Sequence, residues 1–416
     1  MELNKSWCGE IPESFEKKRF KYCYSYSHAG AVIDKSWWHK GNELLYTCQE
    51  TPMMSNYDKF PPELRTKEKD ILVTRNANPY IFIPEVGSIY SNVVQKLTIK
   101  TDEFSIPYLR YVLICATESV KVNGDTIPSW NMGVWDNLYL PIPSKKMQEL
   151  IVSVLDRKVE LIDKLIECAK SQILDLQLRV DSLISEEIFL NHLDTYKDTN
   201  KKWLSKVNKG WELKKFKHVF SISKGLGITK ADLTPEGIPV ISYGQTHNSK
   251  FIYNFSQNIN DLPRVPEKYL EFNNCIMNKG DFIFVDTSED IKGSADFSLH
   301  STDDVCFAGY HSLLAKPKER INSRFFMYQF RSSIWSHQIK SSVDGVKVYS
   351  ITQRILGDVE LVVPSVEEQE LIVGKLDAVV SKYDELIKAK TAKIEELNNY
   401  KKSLIYEYVT GKKEVA

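Results

Sequence analysis

The sequence predicts an α+β fold in which two α/β domains are separated by two long antiparallel helices that form a coiled coil. Two observations carry this prediction. The stretch from Ser144 to Phe189 recurs 221 positions further along the chain. Both copies also place apolar residues at alternating steps of four and three, the spacing that keeps one apolar stripe against a partner helix. We therefore expect an internal repeat with a pseudo-two-fold axis.

The repeat is closest where each long helix begins. The segment from Pro143 to Val152 aligns without a gap with the segment from Pro364 to Val373, and Leu155-Asp156 aligns with Leu376-Asp377. Outside the helices the match is weaker, although the segment 69–73 still resembles the segment 280–285. Each half thus consists of segments that match the other half, here called the frame, around a central stretch that does not match.

Each copy contains a heptad seam. The first seam consists of Leu155, Val159, Ile162, Ile166, Ala169, Ile173, Leu176, Val180 and Leu183. The second consists of Leu376, Val380, Tyr383, Ile387, Ile394, Leu397, Leu404 and Tyr408, with Lys390 and Lys401 interrupting it. The aliphatic stems of two lysines can lie along such a seam while their ammonium groups reach water.

The natural partner of each long helix is the other one. The first helix carries the chain away from the first domain, so a second helix that pairs with it must run back, which makes the pair antiparallel. About 45 residues at a rise of 1.5 Å correspond to a rod of roughly 65 Å. The alternative is two unrelated surface helices, each packed on its own domain.

Composition limits the class of protein. The chain has 416 residues, is 42% hydrophobic and has a formal net charge of zero, which argues against a strongly basic binder of nucleic acid but allows a local basic groove. It contains no apolar run of the length that spans a membrane and no signal-peptide core. Its seven cysteines form no CxxC pair, which favours free thiols in a reduced, cytoplasmic setting.

The chain divides in order into five segments. We predict a first domain over residues 1–143, a first long helix over 144–190, a connector over 191–210, a second domain over 211–364, and a second long helix with the C-terminal end over 365–411. In the first domain, strands are expected over 20–24, 71–74, 80–83 and 93–99, and a helix over 106–117. Gly411 and the basic residues after it favour the end of the second helix there.

Several enzymatic signatures are missing. The sequence has no GxxxxGK[ST] phosphate loop, no HExxH and no GxSxG, and its eight histidines are scattered. The run Lys224-Gly225-Leu226-Gly227 lacks the rest of a dinucleotide fingerprint, so a tight turn is expected there. A self-contained enzyme is therefore the least favoured of three hypotheses.

Four stretches resemble the specificity (S) subunit of type I restriction-modification enzymes. The starts of both helices, Leu140 to Val152 and Val362 to Val373, resemble the motif LPxPxxxEQ, with Met147 in place of the usual Glu in the first copy. The tail 400–412 is similar to the C-terminal signature of that family. The segments 224–233 and 239–244 resemble the opening of one recognition-domain type, and Ala308-Gly309-Tyr310-His311 resembles a later strand of it.

This resemblance implies that the chain recognises DNA and does not itself catalyse a reaction. It implies two target recognition domains, each reading one half of an asymmetric bipartite site on double-stranded DNA, with helices that set the spacing and dock two methyltransferase subunits. Those partners would bring S-adenosylmethionine, and a translocase-nuclease subunit would use ATP and magnesium. The alternative from another class is a non-enzymatic coiled-coil scaffold with two protein-binding heads.

The candidate DNA contacts are basic, amide and imidazole side chains in predicted loops, since lysines meet phosphates and Arg, Asn, Gln and His offer hydrogen bonds to base edges. In the second domain they are Lys224, Thr229, Lys230, Tyr243, Gln245, His247, His311 and Lys347. In the first domain they are Ser27, His28, Lys35, Arg75, Asn76 and Asn78. The alternative for each set is an ordinary solvated loop or turn packing.

Two further groups have open assignments. The cluster Trp37-Trp38-His39-Lys40 is typical either of a packed hairpin or of a base-stacking platform. The apolar residues off the helix seam would either dock partner helices or widen the core; they are Leu161, Leu165, Leu174, Leu178, Ile184 and Leu386.

Overall fold

The computed structural model describes residues 7–120, 128–191, 195–248, 250–288, 291, 293–343 and 349–415. The chain forms two compact units, Met1–Lys170 with Lys390–Ala416, and Ser171–Ala389. Each unit contains mixed sheets and a section of both long helices. The predicted fold class, with its internal repeat and two long helices, is confirmed.

The first unit is built on three sheets. Its strands are β1 (Glu16–Arg19), β2 (Tyr24–Ala29), β3 (Trp38–Tyr46), β4 (Met53–Ser55), β5 (Asp70–Thr74), β6 (Ile81–Phe82), β7 (Ile89–Tyr90), β8 (Val94–Ile99) and β9 (Tyr139–Ile142). The strand orders are β2-β8-β5-β6, β4-β3-β7 and β1-β9. Its helices are α1 (Ile106–Glu118) and α2 (Met132–Asp136), followed by the first long helix, α3 (Lys145–Phe189).

The second unit repeats this plan with larger sheets. Its strands are β10 (Tyr196–Asp198), β11 (Lys206–Asn208), β12 (Glu212–Lys215), β13 (Phe220–Lys224), β14 (Ile238–Ile241), β15 (Tyr253–Asn254), β16 (Arg264–Val265), β17 (Ile276–Met277), β18 (Phe282–Val285), β19 (Thr287–Ser288), β20 (Phe297–Leu299), β21 (Cys306–Ala308), β22 (Ser312–Pro317), β23 (Tyr349–Ser350) and β24 (Glu360–Val363). The main orders are β13-β22-β18-β20-β15 and β16-β14-β21-β17. Its helices are α4 (Phe216–Val219), α5 (Tyr243–Thr246), α6 (Ser323–Arg331), α7 (Ser333–Lys340) and α8 (Gln353–Asp358), followed by the second long helix, α9 (Val366–Val409).

The two long helices pair in opposite directions within each unit. In the first unit Lys158 lies over the Tyr408 ring and Lys401 contacts Asp163 at 2.7 Å, so positions ascend along α3 as they descend along α9. In the second unit Lys375 contacts Glu187 at 3.2 Å, and Arg331 interacts with both Asp181 and Asp384. No helix in the described part of the chain is long and apolar enough to span a membrane.

The predicted seam residues form the less exposed stripe of both helices. Leu155, Ile162, Ile166, Val180, Leu376, Val380 and Leu404 are buried. Val159, Ile173, Leu176, Leu183, Tyr383, Ile387, Ile394 and Leu397 are half-buried. Between 381 and 400 every residue off the seam is exposed. The lysine at position 401 does more than extend along the seam, because its ammonium forms an ion pair with Asp163 of the facing helix.

A buried glutamine joins each long helix to its domain. The Gln148 side-chain oxygen accepts the Ser105 N–H at 2.8 Å, and its amide nitrogen donates to the Pro143 carbonyl at 2.9 Å. Gln369 makes the same two bonds to Asn322 N–H and the Pro364 carbonyl, at 2.8 and 2.9 Å. Both side chains are excluded from solvent. The repeated glutamine therefore has a structural role, satisfying backbone groups that would otherwise be buried without partners.

A tyrosine–aspartate contact reinforces the same joint about two turns further along each long helix. Tyr111 donates to Asp156 at 2.7 Å, and Tyr328 donates to Asp377 at 2.7 Å. Burial and the neighbouring carboxylate raise the pKa of both phenols, which keeps them protonated as hydrogen-bond donors.

Some local predictions differ from the structure. The expected strand over 20–24 is a 3₁₀ turn, Phe20–Tyr22, followed by β2, because the Cys23 N–H returns to the Phe20 carbonyl and buries both side chains. The helix expected over 106–117 is α1. In the connector, β10 and β11 pair as an antiparallel hairpin.

The run from Lys224 to Gly227 begins extended and ends in the tight turn that its glycines predict, because the Ile228 N–H donates to the Leu226 carbonyl at 3.0 Å. The Gly225 N–H donates to the Ser312 carbonyl and the Leu226 N–H donates to the Ala308 carbonyl, so the backbone runs extended along β21 and β22. A Cβ on Gly225 would lie 2.0 Å from the Gly309 carbonyl oxygen. Gly30 in the first unit has the same constraint, 2.1 Å from the Tyr90 carbonyl oxygen.

We expect Gly225→Ala to lower the free energy of unfolding by about 2 kcal/mol, because the added methyl group forces a backbone shift in a packed region. Gly227→Ala is the matched control, since its Cβ would meet no atom within 4 Å. Urea unfolding followed by circular dichroism measures both. Equal stability of the two variants would contradict the close-approach argument.

Candidate nucleic-acid interface

In the second unit, polar and aromatic residues gather at one end of the five-stranded sheet. The register pairs Lys224 of β13 with Leu313 of β22, and Val285 of β18 with Ser312 of β22. Lys224, Asp286 and His311 therefore lie at the same end, although they are far apart in the chain. Lys224 is exposed, as a lysine that contacts phosphate must be.

An aromatic cluster adjoins this end of the sheet. Tyr243, the first residue of α5, packs edge-to-face against His247, Tyr310 and His311, with ring centres 6.2, 5.7 and 5.5 Å away. His311 has a left-handed backbone, with φ of 52°, and its side chain is 59% exposed. Strained non-glycine residues of this kind concentrate at functional sites. The structure thus brings three of the predicted DNA-facing residues, Tyr243, His247 and His311, into one group.

Carboxylates orient both histidines. His247 Nδ1 lies 2.7 Å from Asp296 Oδ2, and His311 Nδ1 lies 3.4 Å from Asp286 Oδ1. Because an ionised carboxylate only accepts hydrogen bonds, His247 Nδ1 is the donor in its contact with Asp296.

The other predicted residues of the second unit lie nearby but have different local roles. Thr229 donates to Asp232 at 2.8 Å within a capping box, and Lys230 is exposed. The Gln245 side-chain oxygen accepts the Ser242 N–H at 3.2 Å within the capping box that begins α5. Lys347 lies outside the described residues.

A cleft of about 730 Å³ opens beside His247. Its wall includes Tyr243, His247, Asp296, Arg331 and Lys340. Arg331 is nearly buried; it donates to Asp181 at 3.1 Å and its guanidinium lies 4.7 Å from the centre of the Tyr253 ring. Burial raises the pKa of Asp181, and Arg331 partly offsets this by favouring the ionised form.

In the first unit the corresponding sheet end is also polar. Ala29 of β2 pairs with Gln95 of β8, and Thr74 of β5 pairs with Val94, so the residues after β2 and after β5 lie side by side. Ser27 accepts a hydrogen bond from Gln95 at 2.7 Å and is exposed.

The other first-unit candidates also lie on exposed or half-buried surface. His28 stacks on Tyr26, and its Nδ1 lies 3.3 Å from the Tyr90 hydroxyl. Lys35 is exposed and lies 5.8 Å from the Trp38 ring centre, which favours the packed hairpin for this cluster.

The loop after β5 has an unusual backbone. Ala77 has a φ of 62°, and its neighbours Asn76 and Asn78 are exposed. Arg75 Nη1 donates to the Asn92 carbonyl at 3.4 Å, whereas Arg75 Nε is shielded from solvent and has no acceptor within the described residues. Asn78 donates to the Tyr80 hydroxyl at 3.0 Å. A buried donor without a partner favours a ligand that completes the site.

A family model described as "Type I restriction modification DNA specificity domain" matches residues 9–174 and 208–396, most of both halves. The chain belongs to this family. The two matches coincide with the internal repeat, so the DNA specificity domain is present twice.

One relative and two solved structures are similar to this chain. The chain is 23% identical, over 84% of its length and 80% of the relative's, to the Type I restriction enzyme MjaVIII specificity subunit of Methanocaldococcus jannaschii. A structure concerned with complex assembly and conformational transition of the type I R-M system matches 96% of this chain and 98% of its own at 14% identity and a TM-score of 0.59. The HsdS subunit from Thermoanaerobacter tengcongensis is 14% identical over 97% of this chain and 98% of its own, with a TM-score of 0.39.

Sequence reasoning missed three charged residues of these specificity domains, namely Asp286, Asp296 and Arg331. When the segments 69–73 and 280–285 are aligned, Asp286 falls at the position of Arg75. The repeat therefore indicated Asp286. Asp296 is 49 residues from His247, and only the fold brings them together. Within the described ranges, no three His, Cys, Asp or Glu side chains are grouped to hold a metal ion.

The apolar residues off the helix seam divide into two groups. Leu161, Leu165, Leu174, Leu178 and Leu386 are exposed. Ile184 is fully buried in the core of the second unit, so of the two alternatives it widens the core.

Proposed function

We propose that this chain is the DNA sequence-specificity subunit of a type I restriction-modification complex, and that each specificity domain reads one half of a bipartite site. The observation that carries the proposal is the repeated frame with unlike side chains at the same sheet end. The first unit presents Arg75, Asn76 and Asn78 there, whereas the second presents Lys224, Asp286 and His311. Because these groups offer different hydrogen bonds to base edges, the two half-sites differ and the site is asymmetric.

The long helices set the separation of the half-sites in this proposal. A continuous helix of 45 residues, α3, contributes a stretch to both units. The buried glutamines at positions 148 and 369 hold the start of each helix to its domain. Rigid joints of this kind are needed if protein geometry determines half-site spacing, as it does in other two-part DNA readers.

The exposed leucines on the helices supply docking surfaces for methyltransferase subunits. Leu161 and Leu165 lie one turn apart on α3, as do Leu174 and Leu178, and all four are exposed. Pairs at this spacing fit the apolar face of a partner helix. The partners would then bring S-adenosylmethionine, and a translocase-nuclease subunit would bring ATP and magnesium, while this chain contributes recognition rather than catalysis.

An adenine-methylation map tests the proposal directly. Cells that carry this chain and its methyltransferase partner are expected to show methylation at one asymmetric bipartite motif, and the motif should vanish when only this gene is deleted. Purified complex should also lose DNA affinity steeply as salt rises, because lysine–phosphate contacts release counterions. A map that does not change on deletion, together with no DNA retention at low salt, would favour the scaffold alternative instead.

A further inference from the structure

One backbone position is equivalent in the two units but has side chains of opposite charge. Arg75 N–H donates to the Val93 carbonyl at 2.8 Å, and Asp286 N–H donates to the His311 carbonyl at 3.2 Å. The Arg75 carbonyl accepts the Trp130 N–H at 2.8 Å, and the Asp286 carbonyl accepts the Ile351 N–H at 2.8 Å. Two independent bonds therefore place Arg75 and Asp286 at the same point of the repeated frame.

The strands before these residues support the equivalence. β5 begins with a buried Asp70 whose carboxylate accepts the Lys67 N–H at 2.8 Å, and β18 is preceded by a buried Asp281 whose carboxylate accepts the Asn278 N–H at 2.7 Å. Counting five residues from each aspartate reaches Arg75 and Asp286. The match is thus one of sequence position as well as of hydrogen bonding.

Both side chains retain unused hydrogen-bonding capacity. Arg75 Nε has no acceptor among the described residues, and Nη1 has a single long bond to the Asn92 carbonyl. Asp286 Oδ1 accepts the Thr287 hydroxyl at 2.8 Å and faces His311 Nδ1 at 3.4 Å. The structure shows no hydrogen bond of Asp286 Oδ2 to the described residues, so this oxygen is open to a donor.

We propose that Arg75 and Asp286 determine the base preference at matching positions of the two half-sites; this rests on the proposed function. A guanidinium donates to the two acceptors of guanine, O6 and N7, in the major groove. A carboxylate accepts from the exocyclic amino group of cytosine or adenine and repels the acceptors of guanine and thymine.

The test uses the full chain in complex with its methyltransferase partner and a pool of DNA with randomised half-sites. Wild-type complex should select guanine at one position of one half-site, and cytosine or adenine at one position of the other. Arg75→Ala should relax the first position only, with discrimination falling roughly 5- to 150-fold, and Asp286→Ala should relax the second position only by a similar factor. Arg75→Lys and Asp286→Asn, which preserve most of the side-chain volume, should relax the same positions.

Matched controls remove the same charges elsewhere in each unit. Arg110→Ala and Asp303→Ala change exposed residues that do not occupy the position of Arg75 and Asp286 and should leave both half-sites unaltered. In each variant, wild-type selection at the half-site that the unchanged domain reads shows that the complex is folded. If all four Arg75 and Asp286 variants select the wild-type motif, the assignment is wrong; if the wild-type complex selects no motif at all, the proposed function itself fails.

Discussion

Replacing Arg331 with methionine is expected to lower the free energy of unfolding of the second unit by about 1.5–3 kcal/mol, the usual worth of a hydrogen bond between charged groups, because Arg331 is nearly buried whereas Asp181 is one-third exposed. The Arg331 side chain is 8% exposed and donates to Asp181 at 3.1 Å. The substitution also removes the guanidinium from the face of Tyr253. Urea unfolding followed by circular dichroism measures the loss.

The loss should depend on pH. Partial desolvation raises the pKa of Asp181 and of the more exposed Asp384, and Arg331 lowers both. Without Arg331, both folded-state pKa values rise further above the unfolded values, so the folded variant binds protons that the unfolded chain has released. The stability of the variant therefore falls relative to wild type as pH rises from about 4 through those raised values. The destabilisation should be smaller at pH 5 than at pH 8.

Two comparisons isolate the buried pair. Arg324→Met removes an exposed arginine from the same helix, where it contacts Asp377 at 2.7 Å, and should cost less than about 1 kcal/mol. Adding Asp181→Leu to Arg331→Met removes the stranded carboxylate and should recover part of the loss. Equal effects of the Arg324 and Arg331 substitutions would contradict the burial argument.

Gln369→Leu is expected to cost about 3 kcal/mol. Leucine has a similar volume but leaves the Asn322 N–H and the Pro364 carbonyl buried without partners, each at roughly 1–3 kcal/mol. Gln148→Leu should have a comparable effect on the first unit, because its side chain bonds to Ser105 and Pro143 in the same way. Thermal unfolding of both variants measures the size of the loss and shows whether the two glutamines contribute equally.

An exposed glutamine on the same helices provides the reference. Gln177→Leu changes a solvent-facing position of α3 and should alter stability by less than about 0.5 kcal/mol. If Gln369→Leu proves as mild as this control, the joint between helix and domain does not depend on the glutamine. If Gln369→Leu lowers stability as much as expected, the joint depends on the glutamine. A variant that still folds should then accept a broader range of half-site spacings.

The sequence predicted the parts of this fold whose signals are local or repeated. Heptad spacing predicted both long helices, since a stripe of apolar residues at steps of four and three can only be buried along a helix. The recurrence of the segments that contain Gln148 and Gln369 indicated two equivalent helix starts. It could not indicate what the glutamine does, because its partners Ser105 and Asn322 belong to other elements.

The candidate interface was harder to predict because long-range strand pairing assembles it. His247 and His311 were singled out individually, but the carboxylates that orient them, Asp296 and Asp286, carried no local signal of that role. Arg331 was missed because an arginine in an amphipathic helix is usually a solvated residue; only the packing of α6 against α3 makes it a buried partner of Asp181.

By itself, the sequence determined that this protein has two related halves, two stiff helices and different residues at equivalent positions of the repeat. Repeats and periodicity can be read from the order of the residues alone. Only the tertiary structure decided which of those residues lie close together. Hydrogen bonds between distant backbone segments set Arg75 and Asp286 at one equivalent position. The repeat aligns these two residues, but only the pairing of the strands brings Lys224 and His311 to the end of the sheet where Asp286 lies.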